Sequence, residues 1–185
     1  MKTLKNQEAS RLLIVLEQRN WMEQRTNQPL SHDAGKLLLF LIKRLSIPRE
    51  SWVHTYCFLG QKKQLPKKKK ERKDFLQQDM ERVVEIVEMN LPCVVVGMGK
   101  LASECLLDNA PSILKKRAGT VWDTNSRFAK LGIERAWISY STDAALYDPV
   151  LAVGISRVIG KAAREAGIEI QLNQDLKMFD WSNYL

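Results

Sequence analysis

The sequence predicts an α/β protein, a three-layer α/β/α sandwich around a central, mostly parallel sheet of four to five strands. Short apolar runs alternate with longer helical patterns along the chain. The runs lack a polar face, which is typical of parallel strands that helices cover on both sides. The length of 185 residues suits one domain, and we expect residues 1–185 to form it.

The first elements are predicted from two apolar runs and the helical pattern between them. Arg11–Leu16 is continuously apolar after its first residue and is predicted as a buried strand. Ala34–Leu45 has a wide apolar stripe at helical spacing, and Pro48 follows its end. Trp52–Phe58 is rich in aromatic and branched residues and is predicted as a second strand.

A basic segment and a long helix are predicted next. Residues 61–73 contain Pro66 and show no apolar periodicity, which indicates a loop. Arg72–Asn90 has helical periodicity, with Phe75 among the residues expected to face the core. Pro92 lies just beyond its end and cannot continue a helix.

The central part of the chain contains two further predicted strands. Cys93–Gly97 is a wholly apolar strand, and a glycine-containing turn leads from it into a helix at Lys100–Leu107. Ala136–Tyr140 is the fourth predicted strand.

The C-terminal part begins with a helix at Pro149–Ala166. Proline at its start and Gly167 just past its end are the residues expected at those positions. Ile168–Leu172 is predicted as a last, edge-like strand, and residues 173–185 form an aromatic-rich tail.

Several classes of protein are not favoured. No apolar run approaches the roughly 20 residues of a membrane span, so no membrane partner is expected. The N-terminal stretch lacks the features of a signal peptide, which predicts a cytoplasmic protein. The three cysteines have no paired spacing, so neither a disulfide framework nor a metal site is expected.

The net charge of the chain is concentrated in the basic segment. Residues 61–73 have a charge of +7, against +8 for the whole chain. The cations are Lys62, Lys63, Lys67, Lys68, Lys69, Lys70, Arg72 and Lys73. Clustered cations neutralise the phosphates of a polyanion and release its counterions, so the segment is a candidate DNA contact. The alternative is a solvated loop without a binding role.

The turn after the third strand is a second candidate phosphate site. Gly97, Gly99 and Lys100 lie where a buried strand gives way to a helix. A helix N-terminus presents free N–H groups and a positive dipole end to an anion. The turn lacks the established phosphate-binding spacings, so an ordinary tight turn is the alternative.

Four sequence blocks resemble the uracil-DNA glycosylase superfamily, nearest to its family 4. Pro92–Leu107 (PCVVVGMGKLASECLL) is similar to the family's P-x-V-V-V-A-L-G-x-x-A-x-x-x-L-L, and Lys115–Asp123 to its basic-Gly turn. Arg11–Leu38 aligns without a gap on the first strand, the GEAPG loop and the A-G-x-L-L helix. Ile138–Pro149 aligns on the T-Y-H-P loop. The resemblance implies the same three-layer fold.

The departures from the family fall on its chemistry. Of the GEAPG loop only Glu17 matches, and the residues around it are Leu16, Gln18, Arg19 and Asn20. Leu30 stands where the family has the Phe that stacks on uracil, and Thr55 where it has the Asn that reads the base edge. Ser141 replaces the His that stabilises the departing base. The cluster-binding cysteines are also missing, so no iron–sulfur cluster or other cofactor is expected.

The resemblance therefore gives two sets of candidate site residues. Glu17 and Ser141 are the catalytic candidates, and the base-pocket candidates are Gln18, Arg19, Asn20, Leu30, His32 and Thr55. Besides the basic segment, the candidate DNA contacts are Gly97, Gly99, Lys100, Lys115, Lys116, Arg117 and Gly119. Such backbone contacts position a protein on DNA with little sequence specificity.

Three functions follow from these observations. The first is a DNA-binding protein on a uracil-DNA glycosylase-like fold, catalytically degenerate and accessory to DNA replication or repair. The second is an active glycosylase for uracil or a modified base, with Glu17 and Ser141 or His32 in the site. The third is a protein-interaction module that binds a replication or repair protein through Phe179, Trp181 and Tyr184 of the tail. Packing of the tail on its own domain is the alternative to that contact.

Overall fold

The computed structural model describes residues 11–60, 65–108, 118–174 and 179. The strands are β1 (Leu12–Gln18), β2 (Trp52–Phe58), β3 (Val94–Met98), β4 (Thr120–Asp123) and β5 (Arg135–Ser139). The helices are α1 (Trp21–Thr26), α2 (Asp33–Arg44), α3 (Lys69–Phe75), α4 (Gln77–Asn90), α5 (Lys100–Leu106), α6 (Ser126–Ala129), α7 (Thr142–Tyr147) and α8 (Val150–Glu165).

The five strands form one sheet in the order β2-β1-β3-β5-β4. All neighbours are parallel except β4 and β5, which are antiparallel. The carboxyl ends of β1, β2, β3 and β5 therefore meet at one edge of the sheet, which we call the carboxyl edge. In open α/β sheets this is where ligands usually bind.

Helices cover both faces of the sheet, which confirms the predicted three-layer α/β/α fold. Alternate residues of β1 serve opposite cores: Leu12 and Ile14 pack toward α2 and α8, while Leu13 and Val15 pack toward α4 and α5. The alternation follows from the two-residue period of a strand. It explains why a strand buried on both faces shows a continuous apolar run in the sequence.

Four predicted strands and three predicted helices are confirmed within a residue or two of their bounds. The strands are β1, β2, β3 and β5, and the helices are α2, α5 and α8. Helix α8 ends just before Gly167, whose φ of +71° is the left-handed conformation expected beyond a helix end.

The prediction of an edge strand at Ile168–Leu172 is wrong. The described backbone there is irregular, and Ile168 is buried against the core beside α8. The fifth strand is β4, which pairs with β5 through Val121 and Trp137. Its residues are largely exposed, so it has no apolar run to indicate it.

Two predictions for this part of the chain are wrong. The last residues of the basic segment are helical, and the helix predicted at Arg72–Asn90 is divided into two helices. Helix α3 begins at Lys69, and a junction at Leu76 separates it from α4. Leu76 is buried, whereas Phe75, predicted to face the core, is 47% exposed. Much of the predicted tail lies outside the described residues, but Phe179 packs edge-on against Phe40 of α2 at 5.7 Å between ring centroids.

Two helical glycines differ in what surrounds them. A Cβ at Gly35 would lie 2.5 Å from Leu30 Cα, so the first turn of α2 touches the backbone of the preceding turn. That contact lets Leu30, with φ of 59°, sit buried over the helix. A Cβ at Gly154 in α8 would meet no atom within 4 Å.

These surroundings predict opposite effects of alanine at the two positions. Gly35→Ala should lower the free energy of unfolding by about 1–3 kcal/mol, because neither backbone can move aside easily. Gly154→Ala should raise it by up to about 1 kcal/mol, since alanine favours helix and nothing opposes the methyl group. Urea denaturation of both variants checks this, and equal effects of the same sign would contradict it.

Candidate functional site

A cleft at the carboxyl edge brings together several of the predicted site residues. Glu17, Gln18, Leu30, His32 and Ser141 all line it, although they come from separate parts of the chain. The remaining lining residues are Leu16, Gly35, Tyr56, Met98, Thr142 and Asp143.

Thr55 does not line this cleft, and its neighbour Tyr56 does. Thr55 is buried in the middle of β2, paired with Val15 of β1. Tyr56 packs in the core on the α2 side, whereas Cys57 packs in the core on the α4 side. Because strand side chains alternate, Thr55 points to the α4 side, away from the cleft.

The Glu17 carboxylate is bound at the start of α5. The Leu101 N–H donates to Glu17 Oε1 at 2.9 Å. The side chain lies over Gly99, where a Cβ would come within 2.4 Å of Glu17 Cδ. Gly99 also has a φ of +92°, so both its conformation and its contact require glycine. A carboxylate at a helix N-terminus is stabilised by the dipole and the free N–H groups.

At the turn predicted to bind phosphate, the Leu101 N–H is therefore bound by the protein's own carboxylate. Gly97 is buried, and a Cβ there would lie 2.8 Å from Leu106 Cδ1, so its role is packing. Lys100 alone of the three predicted contacts is exposed.

Ser141 and Asn20 act as helix caps. Ser141 Oγ accepts from the Ala144 N–H at 3.3 Å at the start of α7. Asn20 Oδ1 accepts from the Met22 N–H at 2.9 Å at the start of α1. Arg19 is engaged in the same turn, since its Nη2 donates to Asn27 Oδ1 at 2.8 Å. Asn20 and Arg19 are not among the residues that line the cleft.

A buried carboxylate that the sequence analysis missed lies behind the cleft wall. Glu23 of α1 is fully buried and accepts from the Asn20 N–H at 2.8 Å and the Tyr56 hydroxyl at 2.8 Å. The Leu30 N–H also donates to it. His32 Nδ1 is 3.1 Å from Glu23 Oε1, a close contact whose angle departs from that of a hydrogen bond.

These contacts set the protonation of the Glu23–Tyr56 pair. Burial by itself would raise the pKa of Glu23, but His32 and the hydrogen bonds from Asn20 and Tyr56 outweigh it and lower the pKa to about 2. Burial and the hydrogen bond to Glu23 raise the pKa of Tyr56 well above its ordinary value. At neutral pH the pair is thus a carboxylate and a neutral phenol.

One sequence signal could have indicated Glu23. Asn20 is followed three residues later by Glu23, which is the spacing of a capping box. The spacing predicts a helix start at Asn20. That the same carboxylate also reaches Leu30 and Tyr56 depends on how β2 and the turn before α2 pack.

The cleft itself is narrow. It contains about 10 Å³ of space that water can enter. That is about the minimum for a single water molecule, and a nucleobase is many times larger. In this conformation the predicted base pocket does not admit a base.

The basic segment leaves the carboxyl edge beside β2. Lys67 and Lys68 are exposed just before α3, and Lys68 Nζ is 3.2 Å from Glu71 Oε1. Lys69, Lys70, Arg72 and Lys73 lie in α3. Lys62 and Lys63 lie outside the described residues, as do Lys115, Lys116 and Arg117. Gly119 lies directly before β4.

Arg72, a predicted DNA contact, binds within the protein and anchors this segment to helix α5. Its guanidinium forms two hydrogen bonds with Glu104 of α5, Nε to Oε2 at 2.7 Å and Nη2 to Oε1 at 2.8 Å. Its Nη1 donates to the carbonyl oxygens of Pro66 and Lys67, both at 3.1 Å. Two-pronged pairs of this kind are among the stronger charge-assisted contacts. The pair fixes where the exposed lysines leave the domain.

Within residues 11–60, 65–108 and 118–174, no three His, Cys, Asp or Glu side chains group as metal ligands would. No helix in these ranges is long and apolar enough to cross a membrane.

Comparison of the chain with protein-family models gives no match, and comparison with curated proteins gives none either. The resemblance to the uracil-DNA glycosylase superfamily therefore stays a prediction.

The low pKa of Glu23 predicts a specific loss of stability in acid. The folded-state pKa lies below the ordinary 4.5, so the carboxylate stabilises the fold above that pH. This contribution, about 3 kcal/mol, should decline as the pH falls toward 2. Glu23→Gln should be less stable at neutral pH and should show less of this acid dependence.

Urea denaturation between about pH 5 and pH 3 measures this dependence. Glu88→Gln, at an exposed position of α4, is the control and should retain the wild-type pH profile. A Glu23→Gln profile parallel to that of the wild type would contradict the assignment.

Proposed function

We propose that this protein binds DNA through its basic segment and does so without base excision, as an accessory to DNA replication or repair. The observation that carries the proposal is the concentration of cations in the segment that follows β2 and continues into α3, beside the carboxyl edge. Eight cations fall within residues 61–73, and Arg72 anchors the segment through Glu104. The role in replication or repair rests on the resemblance to the uracil-DNA glycosylase superfamily.

The exposed lysines of the segment suit contacts with phosphates. Lys67 and Lys68 extend from an anchored backbone, so less conformational freedom is lost when they bind. The ion pair of Lys68 with Glu71 is exposed on both sides and is worth little in water. A phosphate can therefore replace Glu71 as the partner of Lys68.

Lys100 extends the basic surface along the same edge. It is exposed at the start of α5, whose first turn also contains the Leu101 N–H that Glu17 binds. With Glu17 satisfying the helix end, Lys100 contributes its side-chain charge and not a backbone anion site. Contacts of this type position a protein on DNA and carry no sequence information.

The state of the cleft supports a function without base excision. A glycosylase must take an extruded base into a snug pocket and stabilise the departing anion. Here the cleft has room for about one water molecule, Glu17 caps α5 and Ser141 caps α7. The alternative of an active glycosylase needs all three features to rearrange. The alternative of an interaction module finds no specific support, since Phe179 packs on Phe40 of its own domain.

The proposal predicts that lysines of the basic segment control affinity for DNA. Changing Lys67, Lys68, Lys69 and Lys70 to Gln should weaken binding to any DNA sequence while leaving the melting temperature unchanged. The slope of log affinity against log salt should flatten by about one unit for each phosphate that the variant no longer neutralises, up to about three or four. Arg72 is left unchanged because it anchors the segment to Glu104.

The matched control removes the same charge elsewhere. Lys43, Arg44, Lys130 and Arg135 are exposed and lie outside the basic segment. Their simultaneous change to Gln should affect affinity and salt slope much less. Fluorescence anisotropy at several salt concentrations measures both sets, and equal effects would show that only total charge matters.

The proposal also predicts that the protein does not release uracil from DNA. The wild type should give no detectable excision from single- or double-stranded DNA in a gel-based assay. Ser141→His should not restore activity, because the cleft stays narrow and catalytic groups that act together give little singly. Robust excision by the wild type that is lost in Glu17→Gln would establish the glycosylase alternative.

A further inference from the structure

A second, open cavity lies at the carboxyl end of β5. It contains about 200 Å³ of water-accessible space. Helix α8 forms one wall with Gly154, Arg157, Val158 and Lys161, and Gly119 and Tyr140 form the other. Tyr140 directly follows β5, and Gly119 directly precedes β4, which runs antiparallel beside it. The cavity thus opens at the carboxyl edge, on the far side of the sheet from the basic segment.

The charges that line this cavity are both positive. Arg157 and Lys161 are four residues apart on α8 and therefore lie on the same face of the helix. Both are exposed at the mouth of the cavity. Within the described ranges no carboxylate forms an ion pair with Arg157. Lys161 Nζ lies 5.8 Å from the centre of the Trp137 ring, and Glu165 one turn on accepts from Trp137 Nε1 at 2.6 Å.

Gly154 lies in the wall of this cavity, and packing within the protein does not explain why this residue is a glycine. Glycine in the interior of a helix is destabilising relative to alanine. Packing does not require it here, because a Cβ would meet no atom within 4 Å. The space that a side chain would fill is cavity. Glycine is the residue that permits close approach of a ligand to the backbone.

We propose that this cavity binds the terminal phosphate of a nucleotide, a phosphate monoester. Arg157, which has no ion pair among the described residues, and Lys161 together match a group whose charge is about −1.5 to −2 at neutral pH better than the single charge of a phosphodiester. The Arg157 guanidinium is suited to two-pronged binding of phosphate oxygens. The bare backbone at Gly154 and the side chain of Val158 leave an apolar wall for the attached sugar or base. The volume of the cavity is below the usual range for drug-sized ligands, so the ligand within it is limited to the phosphate and one attached sugar or base.

For a DNA strand this inference rests on the proposed function, since the basic segment would hold the chain whose end enters the cavity. A free nucleoside monophosphate has the same chemistry and is the second source. Both sources are distinguished by the test.

The test compares two short single strands of DNA that differ only in a 5′-phosphate or a 5′-hydroxyl, with a third that has a 3′-phosphate. The full-length protein should bind a phosphorylated strand about tenfold more tightly than the hydroxyl strand, as expected for charge-assisted hydrogen bonds to one added group. The double variant Arg157→Gln/Lys161→Gln should abolish this preference. The control Lys43→Gln/Arg164→Gln removes the same charge at exposed positions outside the cavity and should retain it.

Gly154 gives a variant that changes no charge. Gly154→Leu should fill the cavity and abolish the preference for the terminal phosphate, whereas the melting temperature should stay at or above that of the wild type. If Gly154→Leu does not fold, Gly154→Ala, which adds a single methyl group, should still reduce the preference. Thymidine 5′-monophosphate and inorganic phosphate are tested as competitors. If the nucleotide competes for binding to the wild type but not to the double variant, the ligand is a free nucleotide. If the nucleotide does not compete and the wild type still prefers a phosphorylated strand, the ligand is a DNA end.

A wild-type preference near unity, without competition by the nucleotide, would overturn the inference even if DNA binding is strong. A preference that survives in both the double variant and Gly154→Leu would overturn it as well. Failure of the proposed function gives a different result, because changing Lys67–Lys70 then leaves affinity for every strand unaltered. If the proposed function is correct, changing Lys67–Lys70 should lower the affinity for all three strands by the same factor and leave the ratio of their affinities unaltered.

Discussion

The Glu23 carboxylate is fully buried and must therefore be satisfied by protein groups, and the groups that satisfy it come from three segments around the carboxyl edge. The Asn20 N–H begins α1, the Leu30 N–H belongs to the turn before α2, and Tyr56 comes from β2. His32, the residue before α2, completes the shell. A buried charge without these partners would be strongly destabilising. The loop between β1 and α2 is thus fixed by an electrostatic requirement as much as by apolar packing.

That fixed loop explains why the cleft is narrow. Leu30 is held over Gly35 by the Glu23 contact and by the absence of a side chain on the helix below it. The helix starts nearest the cleft have their acceptors within the protein, Glu17 at α5 and Ser141 at α7. An anion from outside would find the Leu101 and Ala144 N–H groups already bound. Part of the backbone N–H groups that hold phosphates in many α/β proteins is used here for the protein's own stability.

Binding of anions must then depend on side chains, and the described cations occupy both flanks of the carboxyl edge. Lys67 and Lys68 lie beyond β2, Lys100 is at the centre, and Arg157 and Lys161 lie beyond β5. The first flank is a run of lysines, suited to the repeated charges of a backbone. The second is a cavity, suited to one group at a chain end. The two proposals therefore assign different parts of a nucleic acid to different parts of one edge.

The sequence by itself determined the elements whose residues are buried on both sides or on a regular stripe. Strands β1, β2, β3 and β5 and helices α2, α5 and α8 could be predicted because burial imposes an apolar period that is visible locally. The concentration of charge in residues 61–73 is also a property of the sequence alone. Parallel strands bring their carboxyl ends to one edge, which is why Glu17 and Ser141, both near such ends, meet in the cleft.

Only the tertiary structure decided the features that depend on a partner distant in sequence. Strand β4 exists because β5 offers it hydrogen bonds, and its exposed residues give no local signal. Arg72 is paired with Glu104, which is distant in sequence, and Tyr56 lines the cleft where Thr55 does not, because of the phase of β2. The space between packed elements determines how wide the cleft is. It also determines whether a side chain at position 154 would meet a neighbour. A local pattern specifies which face of an element is buried, but the space left between two faces is set only when they pack.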